Sequence, residues 1–158
     1  MAGYGTDEGL ASWMAANGYV LPDNAPTLSA LREQASDYID ATYGVRFVGT
    51  PTGGIAQERA WPRSGAMVYG QSLPDDIVPS AVVAATYYAA WASATGSALF
   101  AVGSAAGQVT REKVDVIEVQ YAATSGEWIE GNTVRLTSVE GLLAPYLRSR
   151  VGIGMMVV

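Results

Sequence analysis

The sequence contains no cysteine and no histidine. Disulfides, thiol nucleophiles, the usual zinc sites and the commonest general base are therefore excluded. Charge is scarce as well. Only 15% of residues are charged, against about 25% in an average soluble domain. Few residues demand solvent, so more of the surface than usual is expected to be covered, most simply by other copies of the chain. Basic residues are the scarcest: nine Lys and Arg against fifteen Asp and Glu, for a net charge of −6.

That balance bears on nucleic acid. Gripping a DNA backbone takes clustered Lys and Arg that displace counterions. Here Arg32, Arg46, Arg59, Arg63, Arg111, Lys113, Arg135, Arg148 and Arg150 are scattered, never more than two within three positions. A strong non-specific DNA binder is not expected. A surface that DNA slides past fits better.

Catalytic patterns are missing too. Without histidine there is no Ser-His-Asp triad, and no Ser-x-x-Lys occurs. Asp7–Glu8 and Asp75–Asp76 are adjacent acidic pairs, but both fall at expected helix starts, where they complement the helix dipole. Asp37 and Asp40 lie one turn apart on the polar face of an expected helix, as a solvated face would. The glycines of 49–54 lack the Gly-Lys-Ser/Thr ending of a phosphate loop, and those of 103–107 are equally unspecific. No enzyme, cofactor or metal is expected. Through Asp7 no basic stretch leads into an apolar run, so no signal peptide is expected.

What is present suits one domain over residues 1–150 with an apolar tail at 151–158. Thr6 to Ala16 reads as a helix with Thr6 as N-cap, Asp7 and Glu8 in the first turn, and Leu10, Trp13 and Met14 on one stripe. Gly18 stops it. A second, amphipathic helix is expected from about Thr27 to Tyr43, with Leu28, Leu31, Ala35, Tyr38, Ile39 and Thr42 on its apolar face. Arg32, Glu33, Asp37 and Asp40 form the other face, and Gly44 ends it. Residues 45–74 read as irregular, with possible extended pieces at Val45–Val48 and Glu58–Trp61. A loop this long is often functional or a contact surface.

The third helix follows Pro74, with Asp75 and Asp76 as its negative start, Pro79 in the first turn and Gly96 as its end. No charged residue occurs from Ile77 through Thr110. A helix apolar on nearly all sides is either central in a packed assembly or within a membrane. Alanine-rich composition, scattered Ser and Thr and the lack of basic flanks favour assembly, so no membrane partner is expected. Tyr87, Tyr88 and Trp91 then pack in the core or between subunits. After a Gly/Ser/Ala-rich connection, Thr110–Ala122 alternates like one strand. Glu127–Leu136 supplies either a partner strand or a loop. A last short helix is expected from Ser138, weakened by Pro145.

Several landmarks occur in order. Two helices precede Ala60-Trp61-Pro62-Arg63, then come Leu73-Pro74, Ile77-Val78-Pro79, the Ala-rich helix, and Val109–Tyr121 with Glu112-Lys113-Val114 and Val119-Gln120-Tyr121. Over roughly residues 4–148 this set resembles phage head–tail connector proteins, the adaptor or head-completion group. Some of these are labelled DnaT-like single-stranded DNA-binding proteins. The resemblance implies a mainly α fold, a helical bundle with a small β-hairpin or extended arm. It implies a homo-oligomeric ring, commonly of twelve copies, docked beneath the portal protein in the neck of the virion. There the ring extends the DNA channel without specific DNA binding and receives tail or neck proteins.

Two readings of Trp61-Pro62-Arg63 stay open. Either Trp61 anchors the loop to the bundle while Pro62 holds it extended, or the segment is a subunit interface where Arg63 pairs with a neighbour's acid. Tyr87, Tyr88 and Trp91 join the expected subunit interface. The tail residues Ile153, Met155, Met156, Val157 and Val158 are expected to bind the portal, the alternative being a disordered end.

Overall fold

The computed structural model describes residues 3–97, 99 and 135–148, and the backbone of two strands at 111–114 and 117–120. The chain forms two compact units, one of residues 1–97 with 135–158 and one of residues 98–134. The architecture is mainly α with small antiparallel strand pairs.

The first unit is a helical bundle. Helix α1 runs Asp7–Ala16; Thr6 caps it by accepting from the Gly9 N–H at 2.9 Å. Helix α2 runs Leu28–Tyr43, capped by Thr27, and continues as a single tight turn over Gly44–Arg46. Leu10 and Met14 of α1 and Leu31, Ala35, Tyr38 and Ile39 of α2 are buried, the stripes that their spacing requires. Ser36 and Tyr43 are buried beside them. Arg32 ties the two helices, donating to Asp7 at 2.8 Å and to the Gly3 carbonyl at 2.6 Å.

Helix α3 is Ser80–Ala94, starting after Pro79. The start expected at Asp75–Asp76 is therefore corrected: those acids precede the helix. The reason is local, because a residue before proline is pushed out of the α region and Val78 precedes Pro79. α3 packs on α2 and on α4 (Thr137–Leu143), with α1 alongside. Val82, Ala85, Thr86, Tyr87, Ala89 and Ala90 are buried, and within α3 only Ser80 is exposed. The uncharged helix is thus covered largely by its own fold. Its alanines admit neighbouring helices closely, and its remaining residues, Tyr88 and Trp91 among them, are half-buried. Pro145 sits in a tight turn, Ala144–Tyr146, that follows α4. No helix among the described residues is long and apolar enough to cross a membrane.

The connection 44–79, here called the arm, leaves the bundle between α2 and α3. It contains two strand pairs: β1 (Thr50–Pro51) with β2 (Arg63–Ser64), and β3 (Met67–Val68) with β4 (Gln71–Ser72). The extended pieces expected at Val45–Val48 and Glu58–Trp61 are displaced from these positions. Val45 lies in the tight turn after α2, and Phe47 makes only an isolated bridge to Leu147. The β3–β4 turn is Tyr69-Gly70, with φ of 52° and 76°. Positive φ at both central positions is the turn whose twist suits a two-residue hairpin. For tyrosine that conformation costs about 1–2 kcal/mol.

The second unit contains an antiparallel hairpin, β5 (Arg111–Val114) with β6 (Ile117–Gln120), whose register sets Lys113 opposite Glu118. The single strand expected over Thr110–Ala122 is corrected to these two. The partner expected at 127–136 lies mostly outside the described residues, as do the tail residues 151–158.

Candidate functional site

The arm is fixed to the bundle by a few buried side chains. Trp61 is 1% exposed and Phe47 0%. Their rings meet edge to face at 5.5 Å, and Trp61 meets Tyr146 at 6.1 Å. The backbone joins in: Val48 donates to the Tyr146 carbonyl and Arg148 to that of Arg46. The Trp61 N–H donates to the Tyr4 hydroxyl, which donates in turn to Asp40 at 2.5 Å. Asp40 also accepts from the Ala60 N–H and from Arg59. Burial raises the Asp40 carboxyl above the ordinary carboxylate range, opposed by its bonds from Tyr4, Ala60 and Arg59. Asp37 shares Arg59 at 2.6 Å. The solvated face expected for Asp37 and Asp40 is therefore a clamp on the arm instead, with Asp40 half-buried.

Arg63 is the centre of the arm. It is 5% exposed and donates to the carbonyls of Phe47, Val48, Gly49 and Ala60. Burial first, and the Arg148 charge second, push its guanidinium downward. A fork of five donors can satisfy several carbonyls at once, which an ammonium cannot. Gly49 has φ of 73° and lies so close to the Ser64 carbonyl and Ala66 that a Cβ there would collide with backbone. Gln57 stiffens the outer loop: it accepts from the Gly53 N–H and donates to the carbonyls of Arg59 and Pro62.

On this fixed base stand apolar tips. Val45 is 86% exposed, Ile55 fully so, Met67 59% and Tyr69 88%. Ile77, just before α3, is 44% exposed. Of the large exposed apolar residues described, only Val20 lies elsewhere. Isolated exposed apolar residues need no explanation, but five on one connection do.

Against the sequence expectations, the structure places Trp61, Arg63 and Tyr87 inside the chain and leaves Pro62 half-buried. The Trp61 anchoring reading is the one realised within the chain, and Arg63 holds carbonyls there. The Tyr87 hydroxyl accepts from the Thr6 N–H at 3.1 Å. Tyr88 packs edge-on to Trp13 at 4.6 Å, and Trp91 stacks on Tyr19 at 4.2 Å, both half-buried. The five tail residues assigned to the portal, Ile153, Met155, Met156, Val157 and Val158, lie outside the described residues. Sequence reading missed Gln57 and the exposed tips. The signal was there: apolar residues beside glycines in a loop, where no core stripe claims them.

Five of the six arginines described in the first unit are engaged within it. Arg32 and Arg59 hold aspartates, Arg63 holds carbonyls, Arg135 reaches Glu140 at 3.2 Å, and Arg148 reaches the Gly49 carbonyl. Among the described residues no acidic cluster is fit to hold a metal ion. No curated protein and no solved structure matches the chain. One family model does match, over residues 3–158, that of the family described as "Putative DnaT-like ssDNA binding protein". With nearly its whole length matched, the chain belongs to that DnaT-like family.

Proposed function

We propose that the chain is a structural protein that works by self-association, a head–tail adaptor of a tailed bacteriophage. In this reading it forms a ring beneath the portal, extends the DNA channel and attaches the tail, with no catalytic step. The observation that carries self-association is the arm, whose buried anchors hold Val45, Ile55, Met67 and Tyr69 out in solvent. Apolar surface held rigidly outward favours a protein partner, because little ordering entropy is left to lose on contact. The ring, the portal and the tail come from the ordered motifs that resemble the adaptor group. Electron microscopy of phage particles is expected to place the protein at the neck. Its absence from particles would overturn the adaptor reading.

The family description favours a second reading, single-stranded DNA binding. Exposed Tyr69 offers a ring on which a base stacks, as in single-strand binders. Against it stand the net charge of −6 and the engaged arginines of the first unit, which leave little to displace counterions. A salt-dependent titration with single-stranded DNA separates the two. Micromolar or tighter binding at physiological salt favours the second reading; the adaptor reading expects none.

A further inference from the structure

Tyr69 occupies a left-handed position that glycine or asparagine would fill with less strain. It stands 88% exposed at the tip of the β3–β4 turn, with Met67 59% exposed beside it. What the tyrosine adds to the turn is a ring held in solvent.

A cavity of about 280 Å³ lies between α3 and the start of α4. Its walls are Tyr88, Trp91, Ala92, Leu136 and Val139, with Thr137 and Ser138 completing the lining. An apolar cavity of about 150 Å³ already holds a benzene ring. Small-molecule sites run about 300–1,000 Å³. The volume therefore suits one aromatic side chain better than a cofactor. The chemistry agrees: aromatic and aliphatic walls suit a ring, and the hydroxyls of Thr137 and Ser138 suit a phenol oxygen.

The two features occupy separate places. The cavity is lined by the residues that open α4, whereas β3 packs against the Ala144–Tyr146 turn that follows α4's end. Four residues, Glu140 to Leu143, separate the lining from that turn along the chain, so Val139 and Ala144 stand about 7.5 Å apart at helical rise. A knob and a socket at different places on one surface are what a head-to-tail contact between copies requires.

We propose that Tyr69 of one copy inserts into the Tyr88–Trp91–Val139 cavity of the next. The contact is heterologous, so it closes into a ring or runs on as a filament according to the rotation between copies. One aromatic buries only about 150–250 Å². Tyr69 is thus the anchor of a larger interface, in which Met67 supplies further apolar surface. The inference rests on the self-association reading above and gives it a residue-level contact.

The test uses the full chain and measures mass in solution over a concentration series. Wild type is expected to assemble. Tyr69→Gly is expected to raise the dissociation constant at least about thirtyfold. Its melting temperature should equal or exceed that of wild type, because the turn strain is relieved, so misfolding cannot account for the loss. Ser138→Arg, at an exposed position of the lining, blocks the socket and should act alike. An equimolar mixture of the two variants has one intact knob and one intact socket, and is expected to give pairs and nothing larger. If either variant assembles like wild type, or the mixture gives no pairs, the contact is overturned while self-association stands. If wild type stays monomeric at every concentration, the contact is overturned, and the adaptor reading is judged separately at the particle neck.

Discussion

In the bundle, Trp13 of α1, Tyr19 just beyond it, and Tyr87, Tyr88 and Trp91 of α3 form one chain of ring contacts. In the arm, Val45, Ile55, Met67 and Tyr69 stand in solvent, while Phe47, Trp61 and Ala66 nearby are buried. The same residue types are thus turned inward in one region and alternately inward and outward in the other. The difference teaches that apolar content alone does not tell which surface is exposed. The uncharged helix, the most apolar element of the sequence, is covered by its own fold. The glycine- and proline-rich connection, whose length alone marks it as a contact surface in the sequence, carries the exposed apolar surface.

The contrast predicts a graded response to substitution. Trp61→Ala should cost the most, about 3–5 kcal/mol by thermal or denaturant unfolding, because it empties the junction between arm and bundle. A loss below about 1 kcal/mol would mean that the arm is not anchored there. Arg63→Ala leaves several carbonyls without their donor and is expected to cost about 2–4 kcal/mol. Arg63→Lys should restore less than half, since a point charge cannot serve the same acceptors.

Asp40→Asn should change stability by less than about 1 kcal/mol near neutral pH, because the weakened bond to Arg59 is offset by removal of a charge that burial disfavours. It also carries a pH signature. Burial holds the folded carboxyl above its ordinary value, so the folded state binds the proton more tightly than the unfolded state. Stability contributed by this group is therefore greatest below the ordinary carboxylate value and falls as pH rises through the raised one. The Asn variant should lose that slope in acid denaturation profiles. Smallest of all, Val45→Ser and Ile55→Ser should change the stability of the isolated chain by no more than about 0.5 kcal/mol. A larger loss would show that these tips are packed rather than presented.

Much of the bundle was legible in advance. Thr6 and Thr27 cap where their hydroxyls can accept from the third residue on, and the burial of Leu31, Ala35, Tyr38 and Ile39 follows from helical spacing. The arm was not legible, for identifiable reasons. Strands of two residues have no periodicity to read. Arg63 in an irregular stretch looks like any surface cation, since its acceptors are backbone carbonyls that carry no sequence signal. Over 111–120 the alternation runs unbroken through the turn, so a hairpin reads as one strand. Asp75 and Asp76 looked like helix caps because acids commonly stand there, but Pro79 moves the start past them.

The way Arg63 ties Phe47, Val48, Gly49 and Ala60 together has one more consequence. Small or loop-rich segments often keep their shape through a covalent or metal crosslink. Here a single guanidinium performs that role, and no disulfide is involved because the chain has no cysteine. The arm should therefore hold one shape in reducing and oxidising surroundings alike, and thiol reductants should leave it untouched.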